Sequence, residues 1–295
     1  MSALALDDGA AGGDRPAFGE RLATAFGRYG HLCVGIDPHP YLLEEWGLPV
    51  SADGAREFGL RVLDAAAGVA PIVKPQVAFF ERYGSAGFRA LEAVLDRARE
   101  TDLLVLADAK RGDIGSTMDS YAAAWFDEES PLRADAVTIA AYQGLGANAG
   151  FIAKARATDN GVFVLAATSN PEAKATQTAI LATGSTVAKG IVGDVHHENL
   201  AADAENAALG SIGVVLGATL DLSDFGIDAS QLVATPILAP GFGEQGALYS
   251  DVRRLYGAAA GNVLVSASRS LVREGPATVV GAIRQASSEV SACLA

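Results

Sequence analysis

Residues 103–117 read Leu-Leu-Val-Leu-Ala-Asp108-Ala-Lys110-Arg-Gly-Asp113-Ile-Gly-Ser-Thr117. An apolar segment without alternation leads directly into four charges within six residues. A strand that is apolar at successive positions is buried on both faces, as in a parallel sheet. Charges that follow such a strand are expensive unless they are paired or solvated. The stretch therefore predicts a buried strand whose C-terminal end opens onto a polar site.

Outward from it, seven similar runs recur along the chain: His31–Ile36, Pro71–Lys74, Ala136–Ala140, Gly161–Ala166, Ile212–Leu216, Pro236–Ala239 and Asn262–Ser266. With Leu103–Ala107 they make eight candidate strands. Amphipathic stretches lie between them, among them Ala86–Arg99 and Leu271–Ser288, whose apolar positions recur at helical spacing. Eight strand–helix units between residues 30 and 290 allot roughly 32 residues to each, which suits a single (β/α)8 barrel. We expect an α/β fold of this kind over residues 17–295, preceded by a loose tail over 1–16 that ends at Pro16. A doubly wound sheet would have fewer strands. Its glycine fingerprint is also missing, because Gly144-Leu-Gly-Ala-Asn-Ala-Gly150 has the wrong spacing and reads as a loop.

Side chains at the C-terminal ends of barrel strands converge on one mouth. Asp37 follows the first strand, Lys74 ends the second, and Asp108 and Lys110 follow the third. Ser169 and Asn170 come after the fifth, Pro240 to Gln245 after the seventh, and Arg269 after the eighth. On an extended strand end Asp108 and Lys110, two apart, point to the same side. Lys74, Asp108, Lys110 and Asp113 form an alternating set without net charge, in which carboxylate neighbours keep both lysines protonated.

Half of the 295 residues are apolar and 19% are charged, a globular profile. The 22 basic and 35 acidic residues leave a formal charge of −13. That balance disfavours nucleic acid and anionic membrane surfaces as partners. The chain has only five lysines, Lys74, Lys110, Lys154, Lys174 and Lys189. Two cysteines, Cys33 and Cys293, are too few for a disulfide framework and suit a reducing compartment. The N-terminus has no signal-peptide pattern, and the longest uncharged run, Ala136–Ala153, is broken by Gln143, Asn148 and three glycines. The expectation is a cytoplasmic protein.

The Asp-x-Lys-x-x-Asp pattern after strand three, with a lysine after strand two and an aspartate after strand one, resembles the orotidine 5′-phosphate decarboxylase family. The wording Ala-Lys-Arg-Gly-Asp-Ile-Gly is similar to its bacterial, longer-chain branch, and the resemblance runs from about Gly35 to Arg269. It implies a homodimer with shared active sites that decarboxylates orotidine 5′-phosphate without a metal or other cofactor. It further implies that Lys74, Asp108, Lys110 and Asp113 form the charged tetrad, with Asp113 supplied across the dimer interface. Asp37 would accept hydrogen bonds from the ribose hydroxyls, and Thr117 would reach the ribose from the neighbouring subunit. Ser169 would read the pyrimidine amide edge, and Gln245 and Arg269 would grip the phosphate. One departure is the long segment between Ser169 and Ile212, from which no contact is carried over.

The chemistry agrees. Decarboxylation at the pyrimidine C6 leaves negative charge in an in-plane carbon orbital that the ring π-system cannot delocalise. A fixed ammonium beside that carbon stabilises the charge and then donates a proton, and Lys110 can do both. Asp108 would hold Lys110 and sit near the departing carboxylate. Gripping the distant phosphate would convert remote binding energy into a lower barrier.

Three other readings compete with this one. Related metal-dependent sugar-phosphate decarboxylases and epimerases need an acidic residue two before the strand-three aspartate to hold Mg²⁺, and here Leu106 stands there. A Schiff-base aldolase needs a neutral lysine, which flanking aspartates oppose. A non-catalytic phosphate-binding barrel would have no use for the complete tetrad. His196-His197-Glu198, in an acidic stretch ending at Glu205, lacks a third ligand at metal-binding spacing. His39 reads as a turn residue between two prolines near the mouth, Trp46, Trp125 and the phenylalanines as core, and Asp127–Glu129 as a solvated helix end.

Overall fold

A computed structural model of the chain describes residues 15–202 and 209–295. All eight expected strands are present: β1 Leu32–Ile36, β2 Ile72–Pro75, β3 Leu104–Arg111, β4 Ala136–Ala140, β5 Gly161–Ala167, β6 Ile212–Leu216, β7 Ile237–Pro240 and β8 Val263–Ala267. They close in chain order, every neighbouring pair parallel, with β1 against β8. The chain is a (β/α)8 TIM barrel.

Closure explains the unbroken apolar runs. Alternate positions such as Cys33, Ile72, Leu104, Leu106, Phe163, Val215, Leu238 and Leu264 fill the barrel interior. Their neighbours, such as Val34, Val73, Val105, Val137 and Val164, face the helical layer. The N-terminal end of the barrel is plugged by the helix Phe18–Tyr29, whose Phe18, Leu22 and Phe26 join the interior cluster. Phe18 meets Phe163 edge-on with ring centroids 6.0 Å apart. Gly161 must be glycine for this, since a Cβ there would lie 2.4 Å from the Phe18 ring.

Residues 1–14 of the expected tail lie outside the described residues. Arg15 ion-pairs with Asp135, and the Pro16 carbonyl accepts a hydrogen bond from Arg21. Arg21 also pairs with Asp135.

Local expectations need three corrections. The helix expected over 271–288 is two helices, Arg269–Val272 and Val279–Leu294. Gly275 (φ 91°) and Pro276 interrupt it: proline disfavours helical backbone in the residue before it and lacks the amide needed to continue. The expected loop 144–150 tightens into a 3₁₀ turn over Leu145–Asn148, and its last residues already belong to the helix Ala149–Ala157. The long segment after Ser169 contains its unit's own helix, Val187–Ala202, preceded by a short helix Ala173–Gln177 and an antiparallel bridge between Ile180 and Thr186. His196 and His197 lie on that longer helix, where Glu198 pairs with Arg156, while Glu205 falls outside the described residues.

Cys33 is buried in the barrel, Cys293 is half-buried in the last helix, and both are free thiols. Trp46 and Trp125 are buried, as expected. No helix among the described residues is long and apolar enough to cross a membrane.

Candidate active site

The inward-pointing series continues upward along each strand and changes chemistry at the C-terminal end. Two residues above Ile72 stands Lys74, two above Leu106 stands Asp108, and two above Leu264 stands Ser266. These groups floor a cavity of about 440 Å³ whose wall also includes Asp37, Lys110, Ser169, Gln245 and Arg269.

Asp108 is the hub of that floor. Its Oδ1 accepts hydrogen bonds from Lys110 Nζ at 2.6 Å and Thr138 Oγ1 at 2.8 Å. Its Oδ2 accepts from Gln76 Nε2 at 2.8 Å and Lys74 Nζ at 3.2 Å. Asp108 and Lys74 are each 7% exposed, so an unpaired charge on either would be strongly disfavoured. Burial by itself pushes the Asp108 carboxyl up, but Lys74, Lys110 and the bonds from Lys110 and Thr138 outweigh it. They hold the group well below the usual carboxylate range. Burial likewise opposes the charge on Lys74, yet Asp108 and Asp37 raise its pKa above that of a free lysine. Asp108 is thus an anion and Lys74 a cation at neutral pH. Lys110, with its side chain 46% exposed, presents its ammonium to the cavity.

Asp108 and Lys110 do meet, but not through a simple pleat. The β3–β4 register advances four residues on β3, from Ala107 to Arg111, while β4 advances two, from Val137 to Ile139. The extra residues bulge, and Lys110 turns through left-handed backbone at φ 47°. Its amide donates to Thr138 Oγ1 at 2.9 Å.

The rim comes from loops. Asp37 Oδ1 is buried without a hydrogen-bond partner among the described residues, an open acceptor at the cavity wall. Ser169 is exposed beside Thr168, whose amide donates to Gln177 Oε1 and whose Oγ1 accepts from Gln177 Nε2, both at 2.9 Å. The short inserted helix therefore braces this loop. Gln245 is exposed in the turn between Gly243 (φ 75°) and Gly246 (φ 101°). Arg269 opens the helix after β8. His39 precedes the helix Pro40–Glu45 and packs against Phe79 in a tilted arrangement, with ring centroids 4.1 Å apart. Burial pushes its pKa down despite Asp37.

Two candidates fall outside this chain's cavity. Asp113 is half-exposed, and its Oδ1 accepts from the Ile114 amide at 2.9 Å. Thr117 is exposed on the helix Gly115–Phe126. The segments after β3 and β4 also expose Ile114 (59%) and Tyr142 (89%).

Gln76 and Thr138 were absent from the sequence reading. Thr138 is the one polar residue in Ala136–Ala140, a signal that was available; Gln76 follows Lys74-Pro75 with no pattern to single it out. Leu106, at the position where a metal-dependent relative needs an acid, is buried among the barrel's interior apolar residues. Among the described residues, no group of three or more His, Cys, Asp or Glu side chains is arranged to hold a metal ion.

Residues 30–283 match the family model for "Orotidine 5′-phosphate decarboxylase / HUMPS family". The orotidine 5′-phosphate decarboxylase of Salinispora tropica is 45% identical over 276 residues, spanning 94% of this chain and 96% of that protein. That of Corynebacterium glutamicum is 47% identical over 263 residues, 88% of this chain and 91% of its own. A crystal structure from Streptomyces avermitilis, assigned provisionally to the same activity, superposes with a TM-score of 0.90 at 40% identity over 99% of both chains. The OMP decarboxylase of Leishmania donovani superposes at 0.75 with 26% identity, covering 94% of this chain and 98% of its own. With its closed barrel and its match over nearly the whole length, the chain belongs to the orotidine 5′-phosphate decarboxylase / HUMPS family.

Proposed function

We propose that this protein decarboxylates orotidine 5′-phosphate to uridine 5′-phosphate and CO2 in UMP biosynthesis, with Lys110 as the catalytic cation and acid. The observation that carries the reading is the Asp108 carboxylate clasped between Lys74 and Lys110 on the cavity floor. In the reaction the bond from C6 to the carboxylate breaks, and its electron pair stays on C6. The Lys110 ammonium, held by Asp108, stabilises that pair and then transfers a proton to it. Lys110 regains its proton from solvent. The donors around Asp108 are set before substrate arrives, so little reorganisation is required as charge develops.

Substrate roles follow the cavity wall. Arg269, a multi-donor guanidinium, and Gln245 take the phosphate, Ser169 reads the pyrimidine edge, and the open Asp37 acceptor takes ribose hydroxyls. Asp113 and Thr117 act in the cavity of a second subunit of a homodimer. In support, neither lines its own chain's cavity, and Ile114 beside them is exposed. The cytoplasm, where the two free thiols stay reduced, is the compartment we assign.

The test is loss of the orotidine chromophore by EDTA-treated protein with no added cofactor. If chelation abolishes turnover and Mg²⁺ restores it, the metal-dependent sugar-phosphate class replaces this reading. For the shared site, Lys110→Ala and Asp113→Ala chains are refolded together. Half of randomly formed dimers are mixed, so about a quarter of all sites should recover. No recovery in demonstrated heterodimers would assign both residues to one subunit's own site.

A further inference from the structure

Thr138 is wholly buried in β4 and forms no part of the cavity wall. Both of its hydroxyl's bonds nevertheless go to the cavity floor: it donates to Asp108 Oδ1 and accepts the Lys110 amide. The acceptor is needed because the β3–β4 ladder lapses between Ala107 and Arg111, where Lys110 takes up left-handed backbone that a non-glycine residue ordinarily avoids. One side chain therefore ties the turn carrying Lys110 to the carboxylate that orients the Lys110 ammonium.

We propose that Thr138 is a positioning residue for decarboxylation, one that holds the Lys110 turn in its left-handed form and keeps Asp108 Oδ1 aimed at Nζ. The role rests on the reading of this floor as the decarboxylase centre. It is more specific than wall packing, since valine has nearly the same shape and lacks only the hydroxyl. Because Thr138 does not line the cavity, removing that hydroxyl acts on the reaction through Asp108 and Lys110 and leaves substrate contacts in place.

The experiment compares Thr138→Val and Thr138→Ser with the wild type in kcat and KM for orotidine 5′-phosphate, affinity for uridine 5′-phosphate, and hydrogen exchange of the Lys110 amide by NMR. Thr138→Val should lose about ten- to a hundredfold in kcat, the scale of one hydrogen bond to a charged group. KM and product affinity should stay within about twofold, and the Lys110 amide should lose protection. Thr138→Ser, which keeps the hydroxyl, should recover most of kcat and the protection. Thr138→Ala is the companion deletion should valine disturb packing. Unchanged kcat and amide protection on loss of the hydroxyl would overturn the proposal, as would a parallel fall of kcat, product affinity and thermal stability. A wild type that does not turn the substrate over would overturn the functional reading alone, and amide protection would still decide whether Thr138 holds the turn.

Discussion

The floor and the rim of the cavity are built by opposite means. Lys74 and Asp108 project from strands, are almost fully buried, and belong to one hydrogen-bonded unit with Gln76, Lys110 and Thr138. Ser169 and Gln245 sit on exposed loops, and the Gln245 turn depends on glycines with positive φ. The difference suits the division of labour in a decarboxylase. Charge that stabilises a transition state is most effective when fixed beforehand in a dry site. Groups that grip a remote phosphate do more when they can close over it. Strands supply the first property and loops the second.

The sharpest way to break this comparison is Lys110→Ala. Loss of the proton donor and of its charge should lower turnover by about 10⁴-fold or more. Uridine 5′-phosphate should still bind, as calorimetry would show, because the rim is intact. Near-normal turnover would remove Lys110 from its role.

Arg269→Ala tests the rim from the other side. Loss of charge-assisted bonds to phosphate should weaken apparent substrate affinity by about 100-fold. A lower kcat should accompany it, because closure loses part of its driving force. Steady-state kinetics would show whether the effect is instead confined to kcat, which would contradict the assignment.

Gln177→Ala probes whether the inserted helix braces the Ser169 loop. Its two bonds to Thr168 are lost, so KM should rise about threefold to tenfold while kcat changes little. An unchanged KM would make the insertion irrelevant to substrate binding.

One further effect, on stability and not on activity, concerns pH. The Asp108 pKa is lowered from its ordinary 3.8, so its stabilisation is present above that value and is lost as pH falls through the folded-state value. The Lys74 pKa is raised from 10.5, so its stabilisation is complete below that value and is lost as pH rises through the folded-state value. Asp108→Asn should cost about 3 kcal/mol at neutral pH by leaving Lys74 without its closest counter-charge. Thermal unfolding across an acidic pH series should show that gap level from neutral pH down to 3.8 and narrower below it. A gap that varies between 3.8 and neutral pH would point to a different titrating group.

Much of this architecture was legible in the sequence. The eight strands appear within a residue or two of their predicted bounds, except β3, which runs on to Arg111. Strands buried on both faces leave an unmistakable apolar record. The break at Gly275-Pro276 was equally open to reading, but the helical spacing on either side obscured it, since Leu271, Val272, Val279, Ile283 and Val290 are all buried. Lys110 does meet Asp108, but by another geometry than the expected one: a pleat places i and i+2 together, whereas here a bulge and a left-handed residue do so. Gln76 and Thr138 were passed over because a single amide or hydroxyl carries no pattern until its partner is known.

The sequence by itself determined the barrel and the kinds of group at its mouth. Burial on both faces demands apolar runs, and charges at their ends must then gather where the strands point. Only the tertiary structure decided which charges pair. Closure sets β2, β3 and β4 side by side, so that one carboxylate receives Lys74, Lys110, Gln76 and Thr138 together. The same arrangement leaves Asp113, three residues beyond Lys110, outside this chain's cavity. Hydrogen bonds act over about 3 Å, whereas Lys74, Gln76 and Thr138 lie 34, 32 and 30 positions from Asp108 along the chain, so only the fold can join them.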